Sequence, residues 1–277
     1  MESLRQLVGL ETSLTEVSAT LRECVKAFVT PVVGAHHVVC SDESEVECVD
    51  VFQRVFVEPL LPALGPEKKS AFRTSNLGAR YEPGAARVAE HHFATPDMCD
   101  GPKCVLIKIN GHVSVARTPE GIRYGPMLRY GTQSQACGAL HALLAGAQEP
   151  FARELRETFA TDGNDRIATL LDEQRVDPTY RYLIAALVSA RLQAARALQD
   201  VRDHQELTPT MYLIVPCVTL NRTGPDTEII CGYCTADYRA AEAAVEYAGL
   251  GDEPGDYRIL LEGERLRITY ERGETAA

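Results

Sequence analysis

The sequence predicts a single α/β domain, with a central mixed β-sheet flanked by helices and a helical N-terminal arm. Three observations predict it. First, 277 residues with 45% hydrophobic and 24% charged side chains can bury a sizeable core without staples. Second, short runs rich in β-branched residues alternate with apolar residues at helical spacing, as in a sheet covered by helices. Third, no internal repeat, low-complexity tract or Ser/Gly linker divides the chain. The expected layout is an arm over 1–33 and one α/β domain over 34–277.

In the arm, Leu4, Leu7, Val8, Leu14, Val17, Leu21, Cys24, Val25 and Phe28 recur at helical spacing until Thr30-Pro31 ends the run. Gly34–Cys40 ends in β-branched residues and reads as a strand, and Ser41-Asp42-Glu43-Ser44 offers side chains suited to a helix N-terminus. The helix that follows carries Val46, Val49, Phe52, Val55, Phe56 and Leu60, and Pro59 and Pro62 end it. A Pro- and Gly-containing stretch holds a strand at Ala71–Thr74 and a short helix at Gly84–His92. Lys103–Ile109 and His112–Arg117 read as two strands around an Asn110-Gly111 turn, with a second turn at Thr118–Gly121 before Ile122–Leu128. Ser134–Leu144 reads as a small-residue helix, 150–175 as polar and helical, and Pro178–Arg202 as a long helix with Leu183, Leu187, Leu192 and Leu198 spaced for burial. Strands at Met211–Leu220 and Thr227–Cys234 follow, and a hairpin Tyr257–Leu261/Leu266–Tyr270 turns at Glu262-Gly-Glu.

Charge narrows the function. Lys+Arg 28 against Asp+Glu 39 leaves a net −11, a field that repels phosphate backbones and anionic membranes, so neither nucleic acid nor membrane is an expected partner. No stretch approaches the roughly 20 apolar residues of a membrane span, and Met1-Glu-Ser-Leu-Arg5 lacks the basic start and apolar run of a secretory signal. The expectation is a soluble, cytoplasmic protein.

Nine cysteines in a chain of this length point to buried thiols and metal ligands before disulfides. Cys231-Gly-Tyr-Cys234 has the CxxC spacing of a zinc knuckle or redox pair, yet no second CxxC accompanies it and it caps a strand, so it reads as buried strand cysteines. Cys99 and Cys104 bracket a tight loop that alone supplies too few ligands for a closed zinc site. Cys40 closes a strand, His112 opens one, and Cys137 leads into a helix. Each sits at an element end, where a scaffold can aim it into the crevice at the carboxyl edge of a sheet. A lone buried cysteine is otherwise a core residue.

These residues carry a resemblance. Cys40-Ser-Asp-Glu43, His112-Val-Ser-Val115 before a Glu-Gly turn, and Arg129-Tyr-Gly131 with Ser134-Gln-Ala-Cys137-Gly-Ala-Leu140 resemble the three motif blocks of the limiting-CO2-inducible B (LCIB) family. That family is β-carbonic-anhydrase-like, also called theta-class. Thr208–Leu220 resembles its C-terminal strand, and the likeness spans residues 35–235. The family has Arg directly after the first cysteine and Arg-Pro-Gly before the last, where this chain has Ser41 and Arg129-Tyr-Gly131.

The resemblance implies Zn²⁺ held by Cys40, His112 and Cys137 in a homodimeric α/β fold, with Asp42 beside the metal and an arginine on Asp42. Arg129 keeps the Arg-x-Gly frame and Arg54 is the other candidate. It implies a carbonic anhydrase, a lyase that interconverts CO2 and bicarbonate through hydroxide generated at zinc. Two thiolates and a neutral imidazole cancel the metal's charge, so a carboxylate is needed to orient the water, and the arginine keeps that carboxylate off the metal. A histidine with pKa near neutrality is the natural proton relay. His91 and His92 are candidates; His36 and His37 alternate along a strand, so at most one faces the site; His141 lies four residues after Cys137 on one helical face. Two other functions remain open: an inactive protein that binds or senses inorganic carbon, or acts as a partner subunit, with the same zinc site, and a thiol redox protein using Cys231 and Cys234.

Overall fold

A computed structural model describes residues 1–28, 32–60, 70–86, 88–89, 103–119, 121–129, 132–145, 166–203, 210–239, 244–248, 256–262 and 265–271. In chain order the main described helices are α1 (Glu2–Leu7), α2 (Leu14–Lys26), α3 (Val46–Phe52, continued by a π-turn to Val57 and a last turn over Glu58–Leu60), α4 (Gly138–Ala145), α5 (Arg166–Glu173) and α6 (Arg181–Asp203). The strands are β1 (Glu11–Ser13), β2 (Val32–Cys40), β3 (Phe72–Asn76), β4 (Lys103–Thr118), β5 (Gly121–Tyr124), β6 (Pro126–Arg129), β7 (Thr132–Gln135), β8 (Thr210–Asn221), β9 (Thr227–Ile230), β10 (Tyr233–Asp237), β11 (Ala244–Ala248), β12 (Asp256–Glu262) and β13 (Arg265–Glu271). None of the described helices is long and apolar enough to cross a membrane.

The main sheet is mixed. Its parallel centre is β3-β2-β4-β8, and β9 and β1 continue it antiparallel past β8. Side chains alternate across it, as strand geometry requires. Cys104 and Leu106 of β4 pack with Val17, Leu21, Phe52 and Phe56 of the α2 and α3 layer. Val105, Ile107 and Ile109 pack with Ala194, Ala197 and Leu198 of α6 on the other side. Both faces of β4 are therefore covered, which is why this strand reads as a nearly unbroken buried run.

Five expectations about elements change, two of them because Ile122–Leu128 and Thr227–Cys234, each expected as one strand, are divided into β5 and β6 and into β9 and β10. Asn110-Gly111 is not a turn: β4 runs straight through it for 16 residues, and Gly111 is absent from the positive-φ residues. An Asn-Gly hairpin needs positive φ at both central residues. Here pairing to β2 on one side and β8 on the other overrides the local preference. Thr132–Gln135, expected partly as helix, is strand β7, and the helix starts only at Gly138. The helical run over 1–30 is interrupted by β1, which pairs with β9 and so joins the arm to the main sheet.

That joint depends on Gly9. Its N–H donates to Ile230 O (2.8 Å) and its carbonyl accepts from Ile268 N (2.7 Å), stitching the arm to β9 and the C-terminal hairpin. Its φ is +75° and an added Cβ would lie 1.9 Å from Ile268 O. Gly9→Ala is expected to cost more than the ~1–3 kcal/mol of a strained backbone residue, because the clash is with backbone that cannot move aside. Urea denaturation checks it, and a variant within ~0.5 kcal/mol of wild type would rule out this seam.

Candidate metal centre

A strand end, a strand interior and a strand-to-helix connection converge; His112, expected to open a strand, lies inside β4 because that strand continues through Asn110-Gly111. Cys40 is the last residue of β2, and β4 extends beyond it, so that His112 pairs with Thr219 of β8 past the point where β2 stops. Cys137 arrives after the β6–β7 hairpin. Ser114 N donates to Ala136 O (3.2 Å) and Ala136 N donates to Gly125 O (2.9 Å), which pins the residue before Cys137 to β4 two positions after His112. The three side chains are buried, and one ligand atom from each lies within 4.8 Å of the others.

The geometry fits a tetrahedral ion. The two sulfurs are 3.7 Å apart, far beyond the ~2.05 Å of a disulfide. Two Zn–S bonds of about 2.3 Å at a tetrahedral angle would place sulfurs about 3.8 Å apart. His112 Nε2 is fully buried with no hydrogen-bond partner. An orphaned buried ring nitrogen costs stability unless something takes its lone pair.

The chain's own electrostatics ask for a cation there. The hydrogen bond with Cys137, against the opposing effect of burial, and the neighbouring His112 hold Cys40 well below the ordinary thiol range. Gly78 N also donates to Cys40 Sγ (3.3 Å). The bond to Cys40 and burial push Cys137 well up. Burial lowers the pKa of His112, but Cys40, Glu45 and Asp42 outweigh it and push it up to about 10. A cluster that keeps a thiolate and draws a proton onto imidazole offers its negative charge to a divalent ion instead, with proton release on binding.

Asp42 closes one side. It caps the turn after β2, its Oδ1 accepting from Ser44 N (3.0 Å) and Ser44 Oγ (2.7 Å). Its Oδ2 lies 4.0 Å from His112 Nε2. Cys40 and Cys137 also belong to an apolar core cluster with Leu140 and Leu143. Behind His112 lies a buried polar layer. Thr219 Oγ1 donates to Glu45 Oε2 (3.5 Å), Asn110 Nδ2 donates to Thr219 Oγ1 (3.0 Å) and to Glu228, and Lys108 pairs with Glu228 at 2.8 Å. Burial pushes Glu45 up to about 8.

The other sequence candidates lie elsewhere. His36 bonds Thr74 Oγ1 (3.1 Å), His37 donates to Asn110 Oδ1 (3.0 Å) and His141 bonds the Tyr182 hydroxyl (2.5 Å). Arg54 is exposed on the π-turn. Cys231 and Cys234 do not bond each other: their thiols donate to Ile229 O and Thr235 O, and burial pushes both up, Cys234 to about 12. Cys104 is a core thiol pushed up by burial. His91, His92, Cys99 and the Arg129 side chain lie outside the described residues. Sequence reasoning missed Ser44, Glu45 and Asn221. Ser44 was within reach, since Asp-x-Ser after a strand is a capping pattern, whereas nothing local ties Asn221 to a histidine 109 residues away.

No protein-family model matches the chain, and no curated protein matches it significantly. Solved structures do. PtLCIB4, a homolog of the limiting CO2-inducible protein LCIB, matches with TM-score 0.61 at 13% identity, over 88% of this chain and 98% of that one. LCIB itself matches with TM-score 0.53 at 14% identity, over 87% and 95%. The β-carbonic anhydrase CcaA aligns more loosely, with TM-score 0.37 at 14% identity over 85% and 86%. With its mixed sheet, flanking helices and near end-to-end alignment, this chain has the fold of the limiting CO2-inducible protein LCIB and its homolog PtLCIB4.

Proposed function

We propose that the protein is a zinc-dependent carbonic anhydrase-like lyase, with Cys40, His112 and Cys137 as the metal ligands. The observation that carries this reading is the buried, partnerless His112 Nε2 facing two sulfurs at tetrahedral spacing. When bound, zinc would supply a Lewis acid that lowers the pKa of water from 15.7 toward about 7.

The chain's residues do the rest. Asp42, anchored through Oδ1 by Ser44, turns Oδ2 toward the ligand cluster, where it accepts a hydrogen from the reacting water and orients its lone pair. Arg129 is the proposed partner that keeps Asp42 off the metal. Cys40 and Cys137 belong to a core cluster that also holds Leu140 and Leu143, apolar surroundings that suit uncharged CO2 better than the charged product, bicarbonate. Among the described histidines, His36, His37 and His141 are engaged elsewhere, so the reading leaves proton export to His91 and His92.

All eight described cysteines are free thiols, which supports a reducing, cytoplasmic setting. The homodimer is proposed from the family resemblance. Stopped-flow CO2 hydration tests the activity. The zinc-loaded wild type is expected to exceed the buffer rate, and Asp42→Asn to lose ~10²–10⁴-fold while keeping its zinc. Zinc without a rate in the wild type would replace catalysis by inorganic-carbon binding or a partner-subunit role.

A further inference from the structure

We propose that Ser44 and Asn221 form a bracket that fixes the tautomer of His112 and, through the same hydroxyl, the orientation of Asp42. Both are positioning residues, and the inference rests on the metal reading above.

The assignment follows from counting donors. Asn221 Nδ2 faces three oxygens: Ser44 O at 3.0 Å, Asp226 Oδ2 at 3.0 Å and Glu45 Oε1 at 3.5 Å. Turning the amide over would set its own oxygen against all three, so the nitrogen must stay where it is. That leaves Asn221 Oδ1 directed at His112 Nδ1, 2.9 Å away. An amide oxygen only accepts, so Nδ1 carries the proton.

Ser44 reaches the same conclusion independently. Its hydroxyl proton is used on Asp42 Oδ1, at 2.7 Å, and the oxygen therefore presents lone pairs to His112 Nδ1 at 3.1 Å. Glu45 Oε1, 3.9 Å from Nδ1, is too far to be the acceptor. With Nδ1 protonated between two acceptors, a neutral ring has its lone pair on Nε2, the atom with no partner. The bracket thus turns the only free lone pair of the imidazole toward Cys40 and Cys137.

Ser44 also links the ligand to the carboxylate. One hydroxyl touches His112 and Asp42 together, and the Ser44 carbonyl is tied to Asn221. Asp42 Oδ2 is held 4.0 Å from Nε2, too far to bond that nitrogen and compete for its lone pair. The spacing between ligand and carboxylate is thereby set by the turn after β2 and by the end of β8, not by the metal.

The test begins on the wild type, with long-range ¹H–¹⁵N NMR of the zinc-loaded, histidine-labelled protein. His112 is expected to show Nδ1–H with zinc on Nε2, and zinc on Nδ1 with Nε2–H overturns the proposal. Asn221→Leu, which removes the acceptor at similar volume, is expected to weaken zinc binding about 10–100-fold in chelator competition. Equal zinc affinity in Asn221→Leu and wild type overturns the bracket alone, whereas a wild type that takes up no zinc overturns the metal reading together with it. Should Asn221→Leu not fold, the wild-type spectrum still decides.

Discussion

Cys40→Ser, His112→Ala and Cys137→Ser are each expected to purify with little or no zinc, against one zinc per chain in the wild type, by elemental analysis of protein loaded and then dialysed. The loss should exceed the ~10–100-fold that removing an outer-shell partner costs, because a three-ligand site reduced to two has no means of holding its geometry. Cys48→Ser and Cys231→Ser are the controls. Both thiols are pushed far up by burial and neither belongs to the cluster, so both variants keep their zinc. Cys48 is the stricter control, since it lies on α3, close behind the buried polar layer, with Lys108 Nζ 3.7 Å from its sulfur. Zinc retained in all three ligand variants, or lost equally in the controls, would place the metal elsewhere.

The second large effect lies in the sheet rather than at the metal. Lys108 and Glu228 pair at 2.8 Å with side chains 1% and 0% exposed. Burial alone would drive Lys108 to lose its proton, but Cys48 and Glu228 beside it hold its pKa above the ordinary lysine range. Because Cys48 stays a neutral thiol, Glu228 is the charge that matters. Lys108→Met strands a buried carboxylate whose Oε2 has no hydrogen-bond partner, and it is expected to cost ~3–5 kcal/mol. Lys108→Met with Glu228→Leu removes both charges and should recover most of that loss. Urea denaturation of the single and double variants measures both. A single variant within ~1 kcal/mol of wild type would mean that the pair is not ionic. The ligand side chains do not touch this pair, so zinc content is expected to survive in any variant that folds.

Much of the architecture was legible because its signals are local. Proline and glycine punctuation and apolar spacing located β2, α6 and the β12–β13 hairpin, since each depends on residues close in the chain. The same locality misled at Asn110-Gly111. There a dipeptide that favours a turn lies between two parallel partners, and Asn110 spends its side chain on His37, Thr219 and Glu228. It misled again before Cys137, where small residues suited to a helix instead complete a two-stranded ribbon with β6.

What the sequence determined by itself is that Cys40 closes a strand and Cys137 leads into a helix, in a chain of net charge −11; that His112 stands inside a strand, not at its start, emerged only from the pairing of β4 with its neighbours. Only the tertiary structure decided that the three meet. Cys40 and Cys137 are 97 residues apart, and His112 and Asn221 109. Their approach is set by strand order and register in the β2-β4-β8 centre, where one residue of slip would turn His112 to the opposite face. Register of this kind is a sum of many small pairings between distant segments, each too weak to leave a mark on the residues beside it.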